Sequence, residues 1–263
     1  MAKPPSKMHW PVYVAIRWVA MLLQMFPINL NLQTAMDLPN SRETVLHFCE
    51  AVQKQFSEMT SFYQRESGEF VLEGDRESGS YQWLELEARR LTAGHFNPPS
   101  LEHACQLHRW IVERSIYYLG VSGLDVEAID VLFGFNLSYR GNRDAVVAQA
   151  LLADTPLASL TEEPAAFPIE CEPSFVVALD EGCHLQARLS VETRCSSFQV
   201  RTGQYDDEPI SIYFTVRRYP APGKLLKTQE AFAEQCALCE DLARRYVVGQ
   251  VIQPIAAAIA TAP

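Results

Sequence analysis

Clusters of basic residues are missing from this chain. Lys and Arg number 22 against 32 Asp and Glu, the formal charge is −10, and the pI is about 5.1. The densest basic spots are the simple pairs Arg89-Arg90, Arg217-Arg218 and Arg244-Arg245. A field of that sign repels phosphate backbones, so no nucleic-acid partner is expected. Nucleotide and nucleophile signatures are missing too: there is no P-loop, GxGxxG or GxSxG. Gly120-Val-Ser-Gly123 lacks the flanking strand and the spacing of a phosphate loop. The helical His pair of a metalloprotease is absent, because His103 and His108 are five apart and point to different faces.

A long uninterrupted apolar run is also lacking. The stretch from Pro11 to Leu30 is largely apolar, but Arg17, Gln24 and Pro27 break it. A central Arg alone costs about 2.5 kcal/mol in a spanning helix, and no small-residue cleavage site marks a signal peptide. Three readings of residues 1–35 stand: an amphipathic helix on the body, an upstream extension with Met21 or Met36 as the start, or a membrane anchor. On this division residues 36–263 form one domain, with halves at about 36–120 and 124–263.

What is present is ordinary globular material, 48% hydrophobic and 21% charged, enough to bury a core. Seven cysteines, odd in number and widely spaced, fit reduced cytoplasmic thiols better than a disulfide framework. Asn40 with Glu43 reads as a capping box opening a helix, and Val45, Leu46, Cys49, Val52 and Phe56 follow at helical spacing. Strands are expected at 60–64, 69–72 and 81–88. A second helix is expected at 101–119, between the Ser100 cap and Gly120. The alternation of Ile129, Val131, Phe133, Phe135, Leu137 and Tyr139 is the cleanest strand pattern. A third helix at 142–153, a loop over 154–173, and strands at 174–179, 184–194, 198–201 and 209–218 follow. The last helix runs from Thr228 past Tyr246, and Pro254 interrupts the apolar tail. That tail either closes the core or pairs two copies of the chain as a homodimer.

A repeat is visible in this pattern. Ser61, Arg65, Ser67, Val71 and Gly74 match Ser190, Arg194, Ser196, Val200 and Gly203 at a constant offset. An Arg pair and then a capped long helix follow each copy, and Arg42-Glu43-x-Val45 echoes Arg143-Asp144-x-Val146. The expected fold is therefore α+β: a duplicated helix–three-strand antiparallel meander–long helix unit. The two copies form one twisted antiparallel sheet with the helices packed on one face. Such a unit resembles, in topology only, the saddle of TATA-binding-protein-like and helix-grip folds.

Three stretches carry a family resemblance: Phe135-Asn-Leu-x-Tyr-x-Gly-Asn142-Arg-Asp144, Arg194-Cys-Ser-Ser-Phe-Gln-Val, and the strand Ile-Ser-Ile-Tyr-Phe-Thr-Val-Arg-Arg. With them, residues 36–261 resemble a sporadically distributed family of uncharacterised bacterial proteins of similar length. The resemblance implies no activity and carries over no catalytic residue.

Among single motifs, Cys236-x-x-Cys239 lies mid-helix on an apolar stripe and reads as core rather than redox chemistry. A zinc site would need two further ligands, with Cys183-His184 the dense candidate, so no metal and no cofactor is assigned. Arg65, Arg89, Arg194 and Arg217 recur at matched places and are the candidate ligand-binding residues. Guanidinium groups converging on one sheet face hold a carboxylate or phosphate. The plainer reading pairs them with Glu66, Glu85, Glu87 and Glu192. The function expected is a cytoplasmic binding or scaffolding module for a protein or small molecule. An enzyme acting on an anionic substrate held by these arginines is the alternative.

Overall fold

Apolar and amide side chains alternate in Ile28-Asn-Leu-Asn-Leu-Gln-Thr34. That alternation builds β1 (Ile28–Thr34), the middle strand of one antiparallel sheet. The computed structural model describes residues 27–262. It contains nine strands and six helices. The first part holds α1 (Arg42–Gln55), β2 (Ser61–Gln64), β3 (Phe70–Glu73), β4 (Tyr81–Leu86), β5 (Arg90–Phe96) and α2 (Leu101–Leu119). The second holds β6 (Val126–Ser138), α3 (Arg143–Leu152), β7 (Ser174–Ala178), β8 (Leu185–Glu192), α4 (Ser197–Thr202), β9 (Pro209–Arg218) and α5 (Thr228–Leu242). A π-helical stretch, Ala243–Ile252, leads without a break into α6 (Gln253–Thr261). Strand order is β2-β3-β4-β5-β1-β6-β9-β8-β7, with every pair antiparallel.

The core lies against the apolar register of these strands. Ile28, Leu30 and Leu32 stand opposite Phe133, Val131 and Ile129, which stand beside Phe214, Val216 and Arg218 of β9. All but Arg218 are buried. Helix α2 packs on β1 and β5, and α5 packs on β6 and β9. The Gln235 amide of α5 donates to the carbonyls of Ile129 and Val216 at 2.8 and 3.0 Å. The apolar tail docks on α3, burying Ile255 and Ile252 with Val146 and Val147, so it closes the core. Pro254 does not interrupt it. Proline sits at the start of α6, where the wider π turn spares its missing N–H and ring a clash with the preceding turn.

Several expectations need correction. The boundary at residue 35 cuts off the central strand, because residues 28–34 are integral to the sheet. The apolar run drew attention to a helix, and its last three residues, 28–30, open β1 instead. Residues 1–26, including most of the segment read as a helix or an anchor, lie outside the described residues. Among those described, no helix is long and apolar enough to cross a membrane. The first helix is capped one residue later than expected, by Ser41 accepting from Thr44 N. A strand at 198–201 is absent. Ser196 and Gln199 make a reciprocal capping box there and start α4 instead. The offset aligning Ser61–Gly74 with Ser190–Gly203 therefore joins unlike shapes. The first is a hairpin of β2 and β3, and the second is a strand end followed by a helix. Nor does Arg89-Arg90 end a strand, since Arg90 opens β5.

Candidate functional site

Directly opposed residues in an antiparallel sheet share a face, so the amide register of β1 can be followed outward. Asn31 stands opposite Thr92 and Asp130, and Asn29 opposite Gly94 and Leu132. Beyond them lie Thr215, Tyr213 and Ser211 on β9 and Arg188, Ser190 and Glu192 on β8. Asn29, Asn31 and Gln33 are half-buried while their neighbours in the strand are buried. The result is a second sheet face rich in amides and hydroxyls, with Trp83 and Tyr213 on it. Glycine at 94 leaves room for this arrangement. A Cβ there would lie 2.3 Å from Trp83 Nε1 and 2.5 Å from Asn29 Oδ1. Gly134 likewise admits Pro27, whose Cγ would meet an added Cβ at 2.6 Å.

Three of the four arginines singled out in the sequence reach this face. Arg217 binds Asp130 through two hydrogen bonds of 2.6 and 2.7 Å. Gln33 also donates to Asp130, at 3.3 Å. The Asp130 hydrogen bonds push the Arg217 guanidinium further above its ordinary value, against the opposing effect of burial. Arg194 donates to Ser211 Oγ at 2.9 Å, Tyr213 OH at 2.9 Å and Glu192 Oε2 at 3.1 Å. The Ser211 hydroxyl donates in turn to Asn136 Oδ1 at 2.8 Å, so a polar chain crosses β8, β9 and β6. Arg65 pairs with Glu85 at 3.0 Å. Arg89 lies off the face and pairs with Asp37 at 2.7 Å in an exposed turn. The arginines do not converge. Arg65 and Arg217 stand on strands six positions apart, about 29 Å at the usual interstrand spacing. Each guanidinium meets a carboxylate, as the plainer reading held for Glu85 and Glu192.

Arg194 marks a corner whose construction the sequence concealed. It is a non-glycine residue with φ +50°, in the left-handed region. Two buried groups and one exposed carboxylate hold it there. Arg143, at the start of α3 and fully buried, donates to the carbonyls of Thr193 (2.6 Å), Asp206 (3.0 Å) and Arg194 (3.3 Å). Asp144 Oδ1 accepts from Cys171 N at 2.8 Å and Thr193 Oγ1 at 2.6 Å. Glu172 Oε1 accepts from the N–H groups of Thr193 and Arg194 at 2.6 and 3.0 Å. Burial opposes the Glu172 charge, yet these hydrogen bonds hold its carboxyl below its ordinary value. A cavity of about 390 Å³ opens beside them, lined by Glu170, Glu172, Glu192, Thr193, Arg194 and Cys195. Arg143 and Asp144 read in the sequence as an ordinary helix start. Their signal was a charged pair set directly before Ala-Val-Val, where a helix turns inward.

Elsewhere, His95 is buried on β5, with Nε2 3.3 Å from Ser80 Oγ. Burial first, and then the neighbouring His103 and His108, lower its pKa to about 4. His108 is fully buried. Cys183, the zinc candidate beside His184, is exposed. Among the described residues no group of three or more His, Cys, Asp and Glu is placed to hold a metal ion. A hollow of about 700 Å³ between α3 and residues 157–171 is lined mainly by apolar groups such as Leu152, Leu157, Leu160 and Phe167. Comparison with protein-family models, with curated proteins and with solved structures finds no match to this chain.

Proposed function

We propose that this chain is a binding or scaffolding protein whose contact surface is the amide-rich face of the sheet, extending to the Arg194 corner. One observation carries the reading. Along β1 the apolar positions are buried while Asn29, Asn31 and Gln33 stay half-exposed, beside the buried Thr92 and Asp130. A sheet with one solvated face covers only the other with helices, so we infer that the helices share the apolar side. We further infer that the two halves are copies of one unit. Outward from the β1–β6 pair the order is β5-β4-β3 on one side, with β2 as an added edge strand, and β9-β8-β7 on the other. In each half a helix follows the first strand and a longer helix follows the last. The duplication then lies in topology, not in the residue register that first suggested it. Seven unpaired thiols favour a cytoplasmic setting.

The face suits a neutral, hydrogen-bonding partner better than an anion. Its guanidinium groups already meet carboxylates, so an anionic substrate would have to displace Asp130, Glu85 or Glu192. The test is a thermal-shift screen of the full chain against neutral oligosaccharides and unstructured peptides. A compound that raises the midpoint of the native chain should lose its effect in Asn31→Arg and Tyr213→Ala, and keep it in Arg89→Ala. Ligands that act equally on all four proteins would place the contact surface elsewhere.

A further inference from the structure

The Cys236-x-x-Cys239 motif does not work as a unit. Cys239 faces the sheet, its thiol 3.8 Å from Val131 O and 4.0 Å from Phe214 O, and burial pushes its pKa up. Cys236 turns the other way, across to α2, where its Sγ lies 3.9 Å from Cys105 Sγ. The two sulfurs belong to the two long helices, 131 residues apart in sequence. Both helices pack on the sheet and on each other. A disulfide needs an S–S distance near 2 Å, so the two sulfurs must close by about 2 Å.

We propose that Cys105 and Cys236 form a peroxide-sensitive thiol pair that closes into a disulfide joining α2 to α5. The environment divides the labour between them. The contact with Cys236 lowers the Cys105 thiol below its ordinary value, against burial, and His108 and Arg109 add to the effect. Cys236 is pushed up in turn. One thiol of the pair attacks and the other resolves; with Cys105 as the nucleophile, Cys236 is the resolving thiol. Cys105 is only 2% exposed, whereas Cys236 is half-buried.

The chemistry closes with peroxide as the only oxidant. The Cys105 thiolate attacks one peroxide oxygen, the O–O bond breaks, and sulfenic acid and hydroxide form. Hydroxide takes the Cys236 proton and becomes water. The Cys236 thiolate then attacks the Cys105 sulfur, forming the S–S bond and expelling a second hydroxide. Two thiol sulfurs are oxidised by two electrons, and one peroxide is reduced.

The experiment treats the full chain with a small molar excess of hydrogen peroxide, alkylates the remaining thiols and maps the peptides by mass spectrometry. The expected product is a Cys105–Cys236 cross-linked peptide, lost on treatment with dithiothreitol and still formed in Cys239→Ala. Closing so long a loop should also raise the thermal midpoint by about 10 °C in the native chain and by nothing in Cys236→Ala. Full alkylation of both thiols after peroxide would overturn the proposal. So would a bridge from Cys236 to Cys239, or one between two chains. The native chain's peptide map decides the matter whether or not the variants fold.

Discussion

The two wings of the sheet start alike from the β1–β6 pair and end differently. The first wing reaches its edge through short turns linking β2, β3, β4 and β5. The second passes through the long segment between α3 and β7, and α4 stands between β8 and β9. The plain wing holds its shape with apolar contacts and exposed ion pairs such as Arg65–Glu85. The elaborated wing needs the buried charges of Arg143 and Asp144, which with the exposed Glu172 tie three excursions of backbone together. Irregular backbone leaves N–H and carbonyl groups without ladder partners, and side chains must then satisfy them. The costlier wing is also the one that carries a polar cavity and a residue held at positive φ.

That contrast can be broken by substitution. Arg143→Met should show the largest effect. It strips the carbonyls of Thr193, Asp206 and Arg194 of their donor and leaves Asp144 without a cationic neighbour. Chemical denaturation should record a loss of about 4 kcal/mol. Asp130→Ala comes next. It leaves Arg217 on the β6–β9 seam without its carboxylate, at a cost of about 2 kcal/mol, softened because Arg217 is about a third exposed. In the plain wing Gly94→Ala should cost a similar amount for a different reason. The new methyl displaces the Trp83 indole, and a shift in that tryptophan's fluorescence should accompany the loss.

A fourth prediction concerns acid. His95 in the plain wing has its pKa lowered to about 4 from 6.5. The unfolded chain therefore takes up the proton first, and stability is lost as pH falls from 6.5 towards 4. Its share is about 3 kcal/mol at most, less whatever solvent reaches the ring. His95→Gln should flatten the stability profile across that window. An unchanged slope would show that the ring is hydrated in the folded chain. The smallest effect belongs to Arg65→Ala, within about 0.5 kcal/mol, since its ion pair lies at the surface.

Much of the fold was legible in residue patterns. Period-two alternation located β6 and β9, and Ser100 with Gly120 bounded α2. What escaped was hidden by competing signals. The alternation of β1 lay inside a longer apolar stretch, and Phe198–Arg201 looked strand-like until a cap three residues long outweighed propensity. Strand β5 was missed because Thr92, Gly94 and His95 break its apolar run. The arginines were visible as a set, but pairing partners far along the chain, such as Asp130 for Arg217, depend on strand order that no local pattern reveals. The same holds for the contact between Cys105 and Cys236.

Hydroxyl-radical footprinting of the full chain, alone and in extract of the cells that make it, tests the binding face most directly. Trp83 and Tyr213 should be oxidised in the isolated protein and protected in extract. Tyr117, exposed on α2, should react equally in both. Equal oxidation of Trp83 and Tyr213 under the two conditions, or protection confined to Tyr117, would contradict the assignment of that face as the contact surface.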